Sequence, residues 1–173
     1  MKKLLMTLIL SVMMIGCGSE RGPELVTVKD VDLDQYAGKW YEIASYRNWF
    51  QTGCVYTTAT YTIVNNTTFD VLNECRLGRW GAKNTAKAIG TLPDVNEPGK
   101  LKVKFFGLFD GDYYILELAD DYSYAVVGSP SRQYLWILAR KPKMNKKTYK
   151  MLLNKIEYTH SYDISKLRKT LQR

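Results

Sequence analysis

Histidine and cysteine are scarce in this chain of 173 residues, which contains one histidine and three cysteines. No group of His, Cys, Asp and Glu has the spacing of metal ligands, and no G-x-S-x-G motif accompanies His160. We therefore predict a protein that is not an enzyme and that has no metal and no cofactor. The alternative enzymatic hypothesis takes Cys54 as a free nucleophile acting on a lipid.

The chain also lacks an apolar run of the roughly 20 residues that a membrane-spanning helix needs. Two lysines and a shorter run from Leu4 to Ile15 are typical of a bacterial secretory signal. Gly16 followed by Cys17 resembles a lipobox, in which the cysteine becomes the lipidated first residue of the mature protein. We predict a lipoprotein signal peptide over residues 1–16, a lipidated N-terminus and tether over 17–30, and one folded domain over 31–173.

The residue after the lipidated cysteine bears on where the protein is sent. By resemblance to other lipoproteins, Gly18 in place of aspartate favours sorting to the outer membrane. Acyl chains contribute about 0.8 kcal/mol per buried CH₂, so two or three of them hold a domain on a membrane surface. We expect a lipid-anchored protein on the periplasmic face of the outer membrane.

The formal charge of +8 does not predict nucleic-acid binding, because the lysines are spread along the chain and form no basic stripe with exposed aromatics. It favours anionic head groups or ligands. Cys54 and Cys75 flank the turn residues 65–68, and in an exported protein the simplest interpretation is a disulfide. Closing that loop of about 20 residues stabilises a fold by roughly 3 kcal/mol.

Short blocks with strand composition alternate with turn residues through the middle of the chain. In one block Leu101, Val103 and Phe105 alternate with Lys102 and Lys104, the pattern of a half-buried strand. Eight such blocks are expected, at residues 38–47, 54–64, 69–77, 79–92, 100–106, 113–119, 124–129 and 133–140. Apolar residues then recur at helical spacing over 145–158, with Asn145 as N-cap, so one helix packs on the outside of the sheet.

Consecutive antiparallel strands remove their edges by closing into a barrel, which needs a plug at one end. Trp40, two residues after Gly38, begins the first strand, and Arg140 ends the last, so the cation can lie over the indole. The segments "GKWYEIA", "DDYSYAVVGSP" and "YLWILAR" resemble the three motifs of the lipocalin family, specifically the bacterial lipocalins that are outer-membrane lipoproteins. The resemblance implies an all-β, eight-stranded up-and-down antiparallel barrel with one C-terminal helix outside.

Interior positions follow from strand alternation. With Trp40 inward, Glu42, Ala44 and Tyr46 also face inward up to any bulge, and the second strand is ambiguous because both of its faces carry Tyr and Thr. There the family resemblance implies that Tyr56, Thr58 and Thr60 face the interior and that Trp136 contacts a ligand. The predicted ligand-binding residues are Trp136, Tyr46, Thr58, Thr60, Phe105, Val103 and Leu138, with Tyr134 at the entrance.

An interior of this composition buries a hydrocarbon tail and offers a few hydroxyls to a head group. We expect the ligand, as the family resemblance also implies, to be a long-chain fatty acid or a lysophospholipid, stored or transported in the cell envelope. The alternative is a barrel filled by its own side chains, whose open-end loops bind a protein partner.

Overall fold

The computed structural model describes residues 23–105 and 109–173, apart from the side chain of Phe109. The predicted signal peptide and Cys17 lie outside these residues. The described strands are β1 Gly38–Tyr46, β2 Cys54–Asn65, β3 Thr68–Leu77, β4 Lys83–Thr91, β5 Lys100–Phe105, β6 Phe109–Leu118, β7 Tyr124–Gly128, β8 Leu135–Ala139 and β9 Leu167–Lys169. The helices are α1 Leu33–Tyr36 and α2 Lys146–Asn154, with single helical turns at Trp49–Gln51, Lys155–Thr159 and Ile164–Lys166.

The first eight strands form a closed antiparallel barrel. Each strand from β1 to β8 pairs with the next, and β1 also pairs with β8, with Tyr41 opposite Ala139. This confirms the predicted eight-stranded barrel. The alternation in β5 is confirmed as well, because Lys102 and Lys104 face outward and pair with Asp112 and Asp110 on β6.

The barrel wall separates two apolar clusters. The interior cluster contains Trp40, Leu101 and Val127, and the outer cluster lies between the wall and α2, with Leu152 and Ile156 fully buried. Asn145 caps α2 by accepting a 2.7 Å hydrogen bond from the backbone N–H of Lys147, as predicted. None of the helices in the described ranges is long and apolar enough to cross a bilayer.

Residues 23–30, predicted as part of a tether, lie on the barrel instead. Leu25 is buried in the outer cluster, and the N–H of Val28 donates a 3.0 Å hydrogen bond to the carbonyl of Ile115 on β6. The sequence of this segment shows little apolar periodicity, since single residues and not a repeated apolar face hold it on the barrel. Its last residues lead into α1 at one end of the barrel.

A ninth strand, which we did not predict, completes the wall. β9 pairs with the second half of β1, with Ala44 opposite Lys169, while the first half of β1 pairs with β2. The N–H of Tyr56 on β2 donates a 2.7 Å hydrogen bond to the carbonyl of Leu171. The C-terminal residues therefore fill a gap between β1 and β2.

Candidate ligand-binding site

The barrel is closed at the end where α1 lies. The guanidinium carbon of Arg140 is 3.9 Å from the centre of the Trp40 ring. Its Nη2 donates to the carbonyls of Gln35 (2.6 Å) and Tyr36 (3.2 Å), and its Nη1 to that of Lys39 (3.1 Å). Gly38 has a φ of +88°, and a Cβ there would lie 3.4 Å from Nη1 of Arg140. The structure thus brings Gly38, Trp40 and Arg140 together as the sequence predicted.

Three tyrosines fill the interior above this closure. The hydroxyl of Tyr113 is 2.7 Å from that of Tyr36 and 2.8 Å from that of Tyr61. Burial raises the pKa of Tyr61 to about 12 and also raises the pKa values of Tyr36 and Tyr113. These hydroxyls therefore stay neutral and hydrogen-bond to one another, so that no polar atom of the group is buried without a partner.

The other end, where loops 47–53, 78–82 and 129–134 lie, is the mouth of the barrel. A Cβ added at Gly90, on the closed-end half of β4, would be 2.0 Å from the Phe69 ring, so that half is packed. A Cβ at Gly111, near the mouth end of β6, would have only the Val103 carbonyl near it, at 3.7 Å. The interior is filled towards the closed end and has room towards the mouth.

Aromatic side chains line the mouth. Trp136 and Tyr134 stack with ring centres 5.9 Å apart, and Phe50 lies 6.0 Å from Tyr134 and 6.4 Å from Phe105. Trp136 faces inward on β8, opposite Val127 of the interior cluster, and is half-buried. A partly exposed aromatic on an inward face indicates that this half of the interior is open to solvent.

A buried carboxylate lies beside these rings. Glu42, 6% exposed, accepts hydrogen bonds from Ser45 Oγ (3.0 Å), Gln51 Nε2 (2.9 Å) and the hydroxyl of Thr170. The amide oxygen of Gln51 in turn accepts from Trp136 Nε1 at 3.1 Å. The loop after β1 and the C-terminal residues thereby fix both the carboxylate and the indole. Sequence reasoning placed Glu42 inward but missed Gln51, which lies in a loop without a motif.

The prediction that Thr58 and Thr60 face the interior is wrong. Trp40 is directly opposite Ala59, and cross-strand partners share a face, so Ala59 points inward and its two neighbours point outward. Thr58 and Tyr56 instead line a surface depression on the outer wall. Tyr61, two residues after Ala59, belongs to the interior cluster and was not among the predicted residues.

The prediction for Tyr46 is also wrong. The register between β1 and β8 shifts between Glu42 and Ala44, and this bulge turns Ala44 and Tyr46 to the outer face. Tyr46 is buried in the outer cluster, 5.9 Å from the Tyr162 ring, and its hydroxyl donates to the carbonyl of Asp163. Val103, Phe105, Trp136 and Leu138 do belong to the interior cluster or pack against it.

Cys54 and Cys75 form the predicted disulfide, with their Cα atoms 5.5 Å apart. It links the mouth ends of β2 and β3 and leaves Cys54 with no free thiol, which overturns the hypothesis of a nucleophile there. Two surface depressions, of about 580 Å³ beside α1 and about 360 Å³ beside the C-terminal residues, lie outside the barrel. The first is lined by both apolar and charged residues of the closed-end loops, and the second by the outer wall, whereas the inward-facing residues at the mouth form the candidate site.

A family model of the lipocalin-like domain matches residues 31–172. The chain belongs to the lipocalin family. Temperature-induced lipocalin-1 of Arabidopsis thaliana is 41% identical to it over 157 residues, which cover 86% of this chain and 83% of the relative. The outer membrane lipoprotein Blc of Vibrio cholerae is 39% identical over 134 residues, covering 76% and 77% of the two chains.

Solved structures show the same fold for this lipocalin. Insecticyanin from the tobacco hornworm Manduca sexta superposes with a TM-score of 0.68 at 24% identity, covering 86% of this chain and 84% of its own. Lipocalins are binding proteins, and the matched family is not a family of enzymes. The prediction that the chain is not an enzyme is confirmed on that ground, and family membership supports a hydrophobic ligand inside the barrel.

Proposed function

We propose that this lipocalin binds one lipid with a long acyl chain, a fatty acid or a lysophospholipid, in the mouth half of its barrel. The main support is that the closed-end half of the interior is packed and the mouth half is not. The closed-end half is packed around Trp40 and Phe69, whereas the inward face at Gly111 has room and Trp136 is half-buried. An apolar pocket with few polar groups suits a hydrocarbon tail.

The polar groups at the mouth suit the other end of such a lipid. Asn48 Oδ1 and Thr57 Oγ1 are buried and have no hydrogen-bond partner among the described residues. Exposed Arg47 lies in the same loop as Asn48. The acyl chain would point towards the closed end, because the head group keeps its hydration and its contacts with these atoms at the mouth.

The place of action follows from the N-terminus. The lipobox-like Cys17 and the similarity to an outer membrane lipoprotein support a chain anchored by lipid at the periplasmic face of the outer membrane. A barrel held there stores or carries lipids within the cell envelope.

Native mass spectrometry of residues 18–173, incubated with fatty acids or lysophospholipids, tests ligand binding. We expect a one-to-one complex whose affinity falls about tenfold in each of two variants. Trp136→Ala removes apolar contact area for the ligand, and Gly111→Leu fills the space that the ligand would occupy. Thr60→Ala, on the outer face of β2, is the matched control and should bind as the parent does. A folded barrel that retains no lipid overturns the proposal and favours the filled barrel that binds a protein partner.

A further inference from the structure

The described chain begins at the mouth and not at the closed end. The carbonyl of Pro23 accepts a hydrogen bond from Nη2 of Arg132, at 2.5 Å. Arg132 belongs to the loop between β7 and β8, and Nε of the same side chain donates to the carbonyl of His160 at 2.9 Å. Tyr134, two residues further on, contacts Phe50 at the mouth. From Pro23 the chain runs along the outside of the barrel, past Leu25 and Val28, to α1 at the closed end.

The distance from this point to the predicted anchor is short. Six residue steps separate Cys17 from Pro23, and a fully extended chain spans at most about 3.6 Å per residue. The anchor therefore keeps Pro23 within roughly 20 Å of the lipid surface. β1 has nine residues and, at about 3.3 Å per residue, is about 30 Å long, so the closed end is the more distant end.

The mouth also carries the exposed apolar side chains that a membrane surface would bury. Trp49 is 77% exposed, Trp80 is 92% exposed, and Phe50 and Leu77 are 42% and 49% exposed. Trp49, Phe50 and Trp80 lie in two loops and Leu77 ends β3, and the N–H of Gly78 donates a 2.9 Å hydrogen bond to the carbonyl of Gly53 between the loops. The disulfide joins the strands directly below. The four side chains, which we call the rim, therefore lie on two segments that a hydrogen bond and a disulfide hold together.

The charge of the mouth suits an anionic bilayer. Loops 47–53, 78–82 and 129–134 contain Arg47, Arg79 and Arg132 and no aspartate or glutamate. At the closed end, loops 92–99 and 119–123 contain four acidic residues. Tryptophan favours the interface between lipid and water, and arginine is attracted to anionic head groups.

We propose that the rim docks onto the surface of an anionic phospholipid bilayer, so that the barrel opens towards the membrane in which its anchor lies. This rests on the lipid anchor of the proposed function. A lipid leaving the bilayer would then enter the barrel at Phe50 and Trp136 and cross little open water. The arrangement also buries apolar surface of Trp49 and Trp80, which are 77% and 92% exposed in the described protein.

Tryptophan quenching in vesicles tests the orientation. The lipidated full-length protein is placed in vesicles of phosphatidylethanolamine and phosphatidylglycerol that contain brominated lipid, and flotation shows whether it is anchored. We expect about half of the emission to be quenched, because two of the four tryptophans lie on the rim. Trp49→Ser with Trp80→Ser should abolish most of that quenching while the protein still floats.

Two further variants make the result specific. Arg47→Glu with Arg79→Glu keeps all four tryptophans and should lower the quenching at least twofold. Val95→Trp, added to the double serine variant, places a tryptophan at an exposed closed-end position and should restore no quenching. Floating protein whose emission is unquenched, or a quenched tryptophan at position 95, overturns the docking and leaves the anchor intact. Protein that does not float overturns the anchor and the docking together.

Discussion

Arg140 holds three parts of the closed end together. Its side chain donates to the carbonyls of Gln35 and Tyr36 in α1, Lys39 in β1 and Tyr122 in the loop before β7, and it covers the Trp40 ring. A planar guanidinium reaches several acceptors at once, whereas an ammonium is a single point of charge.

Arg140→Lys should therefore lower the free energy of unfolding by about 2 kcal/mol, because most of these carbonyls lose their charged donor. The midpoint of urea denaturation measures the change. Arg168→Lys is the control, since Arg168 also donates to backbone carbonyls but is exposed. Equal effects at the two positions would show that Arg140 does not join the closed end.

Individual residues show where sequence reasoning succeeds. Trp40 and Arg140 were predictable because glycine, tryptophan and arginine stand at strand ends, where a plug is needed. Thr58 and Thr60 were not, because both faces of β2 carry Thr and Tyr, and only the pairing of Trp40 with Ala59 decides between them. Tyr46 was misplaced by one bulge, and a bulge leaves no clear mark in the composition of a strand.

At the scale of elements, β9 is a short strand with a large role. Beyond its pairing with β1, Gln172 Nε2 donates to the carbonyl of Glu42 on β1 at 2.7 Å and to that of Thr57 on β2 at 2.8 Å. One amide thus bridges the two strands at the point where they no longer pair with each other.

Gln172→Ala is expected to lower the free energy of unfolding by about 1 to 2 kcal/mol, because two backbone acceptors lose their donor. Hydrogen exchange should rise at the mouth ends of β1 and β2 and remain unchanged in β4 and β5. Lys166→Ala removes only an exposed ion pair with Asp163 and should cost less than about 0.5 kcal/mol. Exchange that rises uniformly over the barrel would contradict a local bridging role.

The sequence predicted β1 to β8 and α2 because each has strand or helix composition between turn or cap residues. It did not predict β9, since three residues with two basic side chains carry no period. It also placed residues 23–30 in a tether, because Leu25 is a single apolar anchor in a polar stretch. Elements that form only through tertiary contacts have no periodic sequence pattern from which they could be predicted.

At the scale of the whole molecule, the buried tyrosines make the free energy of unfolding fall with rising pH in the alkaline range. Burial is the main cause that raises the pKa of Tyr61 to about 12, and it also raises the pKa values of Tyr36 and Tyr113. The unfolded chain ionises these groups near pH 10, while the folded barrel keeps them neutral. The stabilisation is complete below about pH 10 and is lost as the pH rises from there towards 12.

We expect the free energy of unfolding, measured by urea denaturation, to be constant from pH 8 to about 9.5 and then to fall by up to about 1.4 kcal/mol per pH unit for each buried tyrosine. Tyr61→Phe should make this fall shallower, whereas Tyr158→Phe, at an exposed position, should leave it unchanged. An unchanged slope in Tyr61→Phe would show that its phenol ionises as readily in the folded barrel as in the unfolded chain.

The position of β9 has a consequence for the order in which the protein can form. β1 is made early, and besides β2 its partners are β8 and the residues around Gln172, which lies 130 positions after Glu42. The wall cannot close until those last residues have been synthesised. Contacts this distant in sequence form slowly, so the closing of the wall is a late step of folding. The circular wall therefore keeps one seam open, between β1 and its distant partners, until folding has brought the two ends of the domain together.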